Sequence, residues 1–276
     1  MKLLFTFLFA LVTVTTFAQK NFQGKATYMS KTTMDMSRFG KMSEQEKKQR
    51  MARFKSFLEK TYTLTFNKTA SSFKEDVKLD APGASGPSWG RSNGQGSIYK
   101  NTKDKKMIED VEQFSKRFLV TEEMEPSQWE MGTETKKIGD YTCYKATLVK
   151  EDKNIDWGSI FSRGNNEKKD STNTKENKPA KKMLTVTAWY TSQIPVSTGP
   201  DTYYGLPGLI LELNAGRTIM LCTEVAINTQ EALEIEAPNK GKEVSRDEYN
   251  EIIKVKTAEL KERFQSRGGR GNGRRN

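Results

Sequence analysis

The sequence predicts a mainly β, α+β fold: a curved antiparallel sheet or open barrel of about ten strands, with one early and one late helix. Three observations carry this. Short segments of alternating apolar and polar residues recur along the chain, separated by Gly, Asn and Asp turns. Neighbouring segments are joined by short turns, which favours antiparallel pairing. Strand–helix–strand alternation does not occur, so a doubly wound parallel sheet is not expected.

A first strand is expected over 22–34, around Ala26-Thr27-Tyr28-Met29. A helix follows over 43–59. Ser43 is its N-cap, Glu46 completes a capping box, and Met51, Phe54, Phe57 and Leu58 recur at helical spacing as a core-packing stripe. Residues 61–66 put Tyr62, Leu64 and Phe66 on one face, and 72–77 pairs with them in a hairpin around Asn67-Lys68. Residues 81–96 read as a Gly/Pro loop. Segments 97–101 and 106–114 form a second hairpin, and 117–121, 128–135 and 141–149 continue the series. The polar stretch 151–182 is expected to be a long solvated insertion, with Trp157, Ile160 and Phe161 docking its first part. Strands resume over 183–192, 203–214 and 217–228, turning at Asn214-Ala215-Gly216. A late helix over 246–264 opens on a second capping box, Ser245 and Glu248, and buries Tyr249, Ile252, Ile253, Lys256 and Leu260.

Residues 1–18 read as a signal peptide. Lys2 is the charged start, Leu3–Val12 the apolar run, and Thr16 and Ala18 the small residues that place cleavage after Ala18. The run is too short to span a bilayer, and no cysteine follows it for lipid attachment. The mature chain is therefore expected to be periplasmic or secreted, without a transmembrane segment. A single domain is expected over 19–264, followed by a disordered Arg/Gly tail, 265–276. Arg267, Arg270, Arg274 and Arg275 in that tail supply part of the net charge of +11. Such a tail can bind RNA, but export makes nucleic acid an improbable partner. A flexible basic tail, or contact with anionic surface polymers, suits the compartment better.

The chain contains no histidine. That excludes Ser-His and Cys-His nucleophile pairs, His-ligated zinc and His-ligated haem. Two cysteines cannot build an iron–sulfur cluster or a four-thiolate zinc site, so no metal or cofactor is expected. Cys143 and Cys222 can pair as a disulfide in an oxidising compartment or stand apart as buried hydrophobes; both alternatives stay open. Carboxylate chemistry survives, and Glu122, Glu123, Glu125, Glu130, Glu134, Glu212 and Glu224 lie on or near strands. Solvated surface Glu is the plainer reading of them. No catalytic constellation is recognisable, which leans against an enzyme.

The densest signal runs from Ala188 to Leu213. A strand carrying Trp189 ends before Pro195, which cannot donate to a ladder. Gly205-Leu206-Pro207-Gly208 makes a rigid bend, with Pro207 fixing φ and Gly208 expected at positive φ in a type II turn. That bend launches Leu209–Leu213, an apolar strand buried on both faces. This stretch resembles the GLPGLI family through Gly205, Leu206, Pro207, Gly208, Leu209 and Ile210, through Ala188-Trp189-Tyr190-Thr191, Ile194-Pro195 and Gly199-Pro200, and through the upstream run Gly139–Ala146. The resemblance implies an exported Bacteroidetes protein of a family with uncharacterised function. It implies no catalytic residues.

Function is therefore expected to be that of a soluble envelope protein, a non-enzymatic binding or assembly module for an apolar ligand or an envelope protein partner. Trp189, Tyr190, Tyr203 and Tyr204 are candidates for lining the site, or else pack around the structural bend. The alternative is a carboxylate-dependent hydrolase of polysaccharide.

Overall fold

The computed structural model describes residues 22–33, 43–76, 95–151, 183–229 and 233–268. The signal peptide, most of the 81–96 and 151–182 insertions, and the end of the Arg/Gly tail lie outside the described residues.

Among the described residues, twelve strands form one open sheet. In chain order they are β1 (Gln23–Thr32), β2 (Glu59–Asn67), β3 (Ala70–Glu75), β4 (Gln95–Asn101), β5 (Lys106–Gln113), β6 (Lys116–Glu123), β7 (Glu130–Ile138), β8 (Tyr141–Glu151), β9 (Met183–Thr191), β10 (Leu209–Ala215), β11 (Thr218–Ile227) and β12 (Lys242–Ser245). Across the sheet the order is β12-β6-β5-β4-β3-β2-β1-β11-β10-β9-β8-β7. Helices α1 (Glu44–Leu58) and α2 (Arg246–Gly268) complete the described fold.

Curvature follows from one connection. β6 stands second in the sheet and β7 stands last, yet only residues 124–129 join them. Laid flat, the ten intervening spacings would cover about 48 Å. Seven Cα steps reach about 25 Å at most. The sheet must curl until its two ends approach each other, and its concave face then encloses the core.

The alternation read from the sequence holds on that face. Ala26, Tyr28, Leu64, Phe66, Phe73 and Ile98 are buried there, and Tyr62 stacks on Phe73 with ring centroids 4.8 Å apart. β10 is buried on both faces, as its unbroken run of Leu and Ile requires. The turn at Phe114-Ser115 has positive φ at both residues, 53° and 59°, the backbone of a tight hairpin turn.

Four expectations need correction. β12, too short to show a period, is a further strand, and it pairs with β6 in parallel, so the sheet is not wholly antiparallel. The strand expected over 203–214 begins only at Leu209, because 192–208 forms a loop instead. Gly208 does not take positive φ; Gly205 does, at 95°. Helix α1 forms with its capping box intact, Ser43 N donating to Glu46 Oε2 at 2.9 Å, but Met51 of its expected core stripe stays exposed. Phe54 and Leu58 are half-buried, and the Phe57 side chain lies outside the described residues.

Helix α2 does pack. Tyr249 and Ile253 seat on Phe118, Val120 and Val244, and burying each is worth roughly 1.5–3 kcal/mol. Its capping box is also present: Ser245 N donates to Glu248 Oε2 at 2.8 Å, and Glu248 N donates to Ser245 Oγ at 3.2 Å. Among the described residues, no helix is long and apolar enough to cross a membrane.

Candidate functional site

The loop 192–208 between β9 and β10 fills the concave face. Three distant strands each send one polar side chain to hold it. Tyr28 on β1 donates its hydroxyl to Ile210 O at 2.6 Å, beside the bulge where β10 slips register against β9. Ser71 on β3 shares a 2.8 Å hydrogen bond with Thr198. Lys100 on β4 donates to Gly199 O, Asp201 O and Tyr203 O at 2.6, 2.7 and 3.1 Å. An ammonium has three donors. All three are spent on main-chain carbonyls, which explains how a lysine only 1% exposed is tolerated.

The Gly205–Ile210 bend is locked from its other side. Trp129 Nε1 donates to Tyr204 O at 2.8 Å, and the Tyr204 hydroxyl donates to Glu125 O at 2.7 Å. The 124–129 connection that closes the curved sheet therefore also clamps the bend. Gly208 passes so near β9 that a Cβ there would lie 2.1 Å from Thr191 O. Close backbone approach, rather than a left-handed turn, is why glycine stands at this position.

The four candidate aromatics do not converge. Trp189 and Tyr190 are consecutive strand residues and point to opposite faces. Tyr190 is on the concave face with Tyr144, ring centroids 6.0 Å apart, and its hydroxyl donates to Met131 Sδ at 3.6 Å. Tyr203 packs on Trp129, with Lys150 Nζ 4.2 Å from its ring centroid. Trp189 lies on the outer face, where Lys136 Nζ sits 4.3 Å above its ring and pairs with Glu212 at 2.6 Å.

That outer face carries a continuous row. Lys145, Trp189, Glu212, Leu221 and Met29 are successive partners across β8, β9, β10, β11 and β1. Met29 is 56% exposed, Ile219 48% and Leu221 39%. They are neighbours through the Met29–Leu221 and Lys31–Ile219 pairs, so the exposed apolar side chains form one patch beside Trp189.

A second cluster, of charged groups, lies on the concave face. Arg246, the first residue of α2, donates through one Nη2 to both Glu109 on β5 and Glu122 on β6. Burial raises the Glu109 carboxyl above its ordinary range, while Arg246 pulls it down. Burial also raises Asp201, with Lys100 and Lys150 opposing. The Lys100 ammonium is pulled down to about 7 by burial, and Asp201 opposes that shift.

Cys143 and Cys222 are separate, buried, free thiols. They lie on strands three ladders apart. Cys143 is the ladder partner of Lys136 and Cys222 that of Tyr28, and both thiols belong to the same buried core cluster. Strands three ladders apart stand about 14 Å apart, beyond the Cα separation a disulfide bridges, and both thiols are free in this fold. Burial pushes the thiols up to about 11 and about 12.

Sequence reasoning missed Lys100, Glu109, Asp201, Arg246 and Trp129. One clue was available. Alternation puts Lys100 on the face of Ile98, a charged residue at a core position. Of the carboxylates singled out, Glu212 and Glu134 are held by Lys136 and Lys145 on the outer face. Among the described residues, no group of three or more His, Cys, Asp or Glu could hold a metal ion.

No curated protein matches the chain. Among solved structures, PNGF-II in a C2 crystal form is similar with a TM-score of 0.48 and 15% identity, over 84% of this chain and 32% of that one. The P21 form of PNGF-II gives the same score and identity over 33% of its length. The chain thus spans about a third of that protein. An uncharacterized conserved protein from Thermus thermophilus is similar at a TM-score of 0.31 and 7% identity, over 81% of this chain and 90% of that one. Residues 129–212, from Trp129 through β7, β8 and β9 to Glu212 and including the Gly205–Ile210 bend, match a protein family described as of unknown function (Porph_ging).

Proposed function

We propose that this chain is a GLPGLI-type exported protein of the Bacteroidetes envelope that works as a non-enzymatic binding module for an apolar ligand or protein partner. The observation that carries this is the outer-face patch of Met29, Ile219 and Leu221 beside Trp189. Three large apolar side chains left in water on adjacent strands favour association. The concave interior supports the same reading, since Lys100, Arg246, Trp129 and Tyr28 spend their donors on groups of the chain itself. The signal-peptide pattern of residues 1–18 supports the compartment.

The test is native mass spectrometry of the protein purified from its own envelope, with Trp189→Ala and Leu221→Ser alongside. A co-purifying species on the wild type should be lost from both variants while their melting temperatures hold. Retention of that species by both variants would sink the proposal.

A second reading, carboxylate-dependent hydrolysis of polysaccharide, has one observation in its favour: Glu109 and Glu122 accept from the same guanidinium nitrogen and so stand side by side. Polysaccharide turnover abolished by Glu109→Gln and by Glu122→Gln would favour it. Turnover unchanged in those variants would end it.

A further inference from the structure

Helix α2 is held to the sheet through its first half. Arg246 donates to Glu109 and Glu122, the Ser245–Glu248 capping box closes the first turn, and Tyr249, Ile253 and Thr257 are buried. Beyond Thr257 no described side chain of the helix is buried. The helix is 23 residues long, about 35 Å, so its last part, 258–268, extends about 16 Å past the packed turns.

The charge changes in kind along this stretch. In the middle of the helix, lysines match acids: Lys254 lies 3.4 Å from Glu251 and Lys256 2.8 Å from Glu259. Lys261 is the last lysine of the sequence and Glu262 the last acid. After them come Arg263, Arg267, Arg270, Arg274 and Arg275 with no lysine among them, in a chain whose lysines outnumber its arginines 33 to 13. Offsetting the negative end of the helix dipole explains a cation in the last turns, but a lysine does that equally well. Arg270, Arg274 and Arg275 also come after the last residue of α2. What sets arginine apart is its planar fork of donors, which engages two oxygens of one phosphate at once, where lysine offers a point charge. Five such forks over 263–275, with no acid between them, suit a surface of closely spaced phosphates.

We propose that the arginine run 263–275 docks the chain on an anionic phospholipid surface through guanidinium–phosphate pairs, with the packed half of α2 fixing the run to the sheet. A membrane is preferred to nucleic acid because residues 1–18 carry an export pattern, so the choice of partner rests on the exported reading given above. Docking of this kind is electrostatic and weakens as salt rises. Each basic residue held near an anionic leaflet tightens binding roughly fivefold. Loss of Arg270, Arg274 and Arg275 together therefore removes about a hundredfold. The apolar patch of Met29, Ile219 and Leu221 lies on other elements and is a separate surface.

Cosedimentation with vesicles tests it, using protein purified from its native cells. One set of vesicles mixes phosphatidylglycerol with phosphatidylcholine, and the other is phosphatidylcholine alone. The wild type should bind the anionic set and lose that binding at high salt. The triple variant Arg270→Gln, Arg274→Gln, Arg275→Gln should bind about a hundredfold more weakly with its melting temperature unchanged. Replacing the same three by lysine should give an intermediate affinity, because the charge stays and the fork is lost. Wild-type binding by the glutamine or the lysine variant overturns the proposal, as does equal binding to both sets of vesicles. Binding to alginate, a carboxylate polysaccharide, or to duplex RNA, with none to the vesicles, overturns it too. N-terminal sequencing of the same sample reads export separately. An intact Met1 would overturn the exported reading and the choice of a membrane with it, whereas a processed chain that ignores the vesicles overturns this proposal alone.

Discussion

Replacing Gly208 by alanine tests the reading of the bend most directly. A Cβ at this position would meet Thr191 O at 2.1 Å, Thr191 C at 2.6 Å and Ser192 N at 3.0 Å. All three are main-chain atoms, so no side chain can rotate away. Thr191 is fully buried and pairs with Leu209 in the ladder, which leaves the backbone little freedom to retreat. Relief needs about 1 Å of main-chain movement, which puts the cost at the upper end of overpacking, about 3 kcal/mol. For a domain of this size that is a fall of about 6–12 °C in Tm. Gly205→Ala should cost less, roughly 1–2 kcal/mol, because its penalty is a positive φ of 95° and its nearest neighbour is the Ser127 side chain. Pro207→Ala, at an exposed position, should cost about 0.4–1 kcal/mol through the unfolded chain alone. Urea denaturation of the three variants gives the ranking. If Gly208→Ala falls within about 1 kcal/mol of wild type, or costs no more than Pro207→Ala, the close-approach argument fails.

Three further outcomes follow from the charged cluster and the thiols. Arg246→Ala leaves Glu109 buried and unpaired, and should cost about 3 kcal/mol in urea; the double variant Arg246→Ala with Glu109→Gln should recover part of that loss, and strict additivity would contradict the pairing. Burial raises the folded-state pKa of Glu109, so the folded protein holds this proton more tightly than the unfolded chain does. The contribution is present at low pH and is lost as pH rises above the ordinary carboxylate range, so Glu109→Gln should flatten that fall in a pH series of melts; an unchanged slope would contradict it. Cys143 and Cys222, pushed up to about 11 and about 12, should both resist alkylation in the native protein and both label in denaturant without reductant. Failure of either to label after unfolding would restore the disulfide.

What was legible in the sequence is what period and cap chemistry control. Tyr62, Leu64 and Phe66 alternate, Ser43 and Ser245 cap, and Leu209–Leu213 runs apolar, so strands, helices and the doubly buried β10 could be read directly. Curvature was legible only as a fold class. Its cause is the short 124–129 connection between the two ends of the sheet, and pairing order is not written in any local window. β12 was missed because four residues show no period, and its parallel partner β6 lies more than a hundred residues upstream. The spatial separation of the four aromatics was hidden for a different reason. Trp189 and Tyr190 look like one feature in sequence, but strand alternation sends them to opposite faces.

The hexapeptide Gly205–Ile210 acquires a physical role from these contacts. Three of its six residues are fixed by packing: Leu206, Leu209 and Ile210 are buried to within about a percent. The glycines answer to the backbone, one through positive φ and one through the nearness of Thr191. Around it converge Tyr28, Ser71 and Lys100 from strands remote in sequence, and Trp129 and Tyr204 from the connection that draws the ends of the sheet together. Every one of these groups is spent on the chain itself. A segment so placed fixes where β10 begins and therefore sets the register of β9 and β11 on either side. Residues that serve architecture this closely have little freedom to serve a ligand. Variation between proteins that share the bend should then concentrate on surfaces such as the outer row of Trp189, Leu221 and Met29, where a side chain can change without moving the sheet.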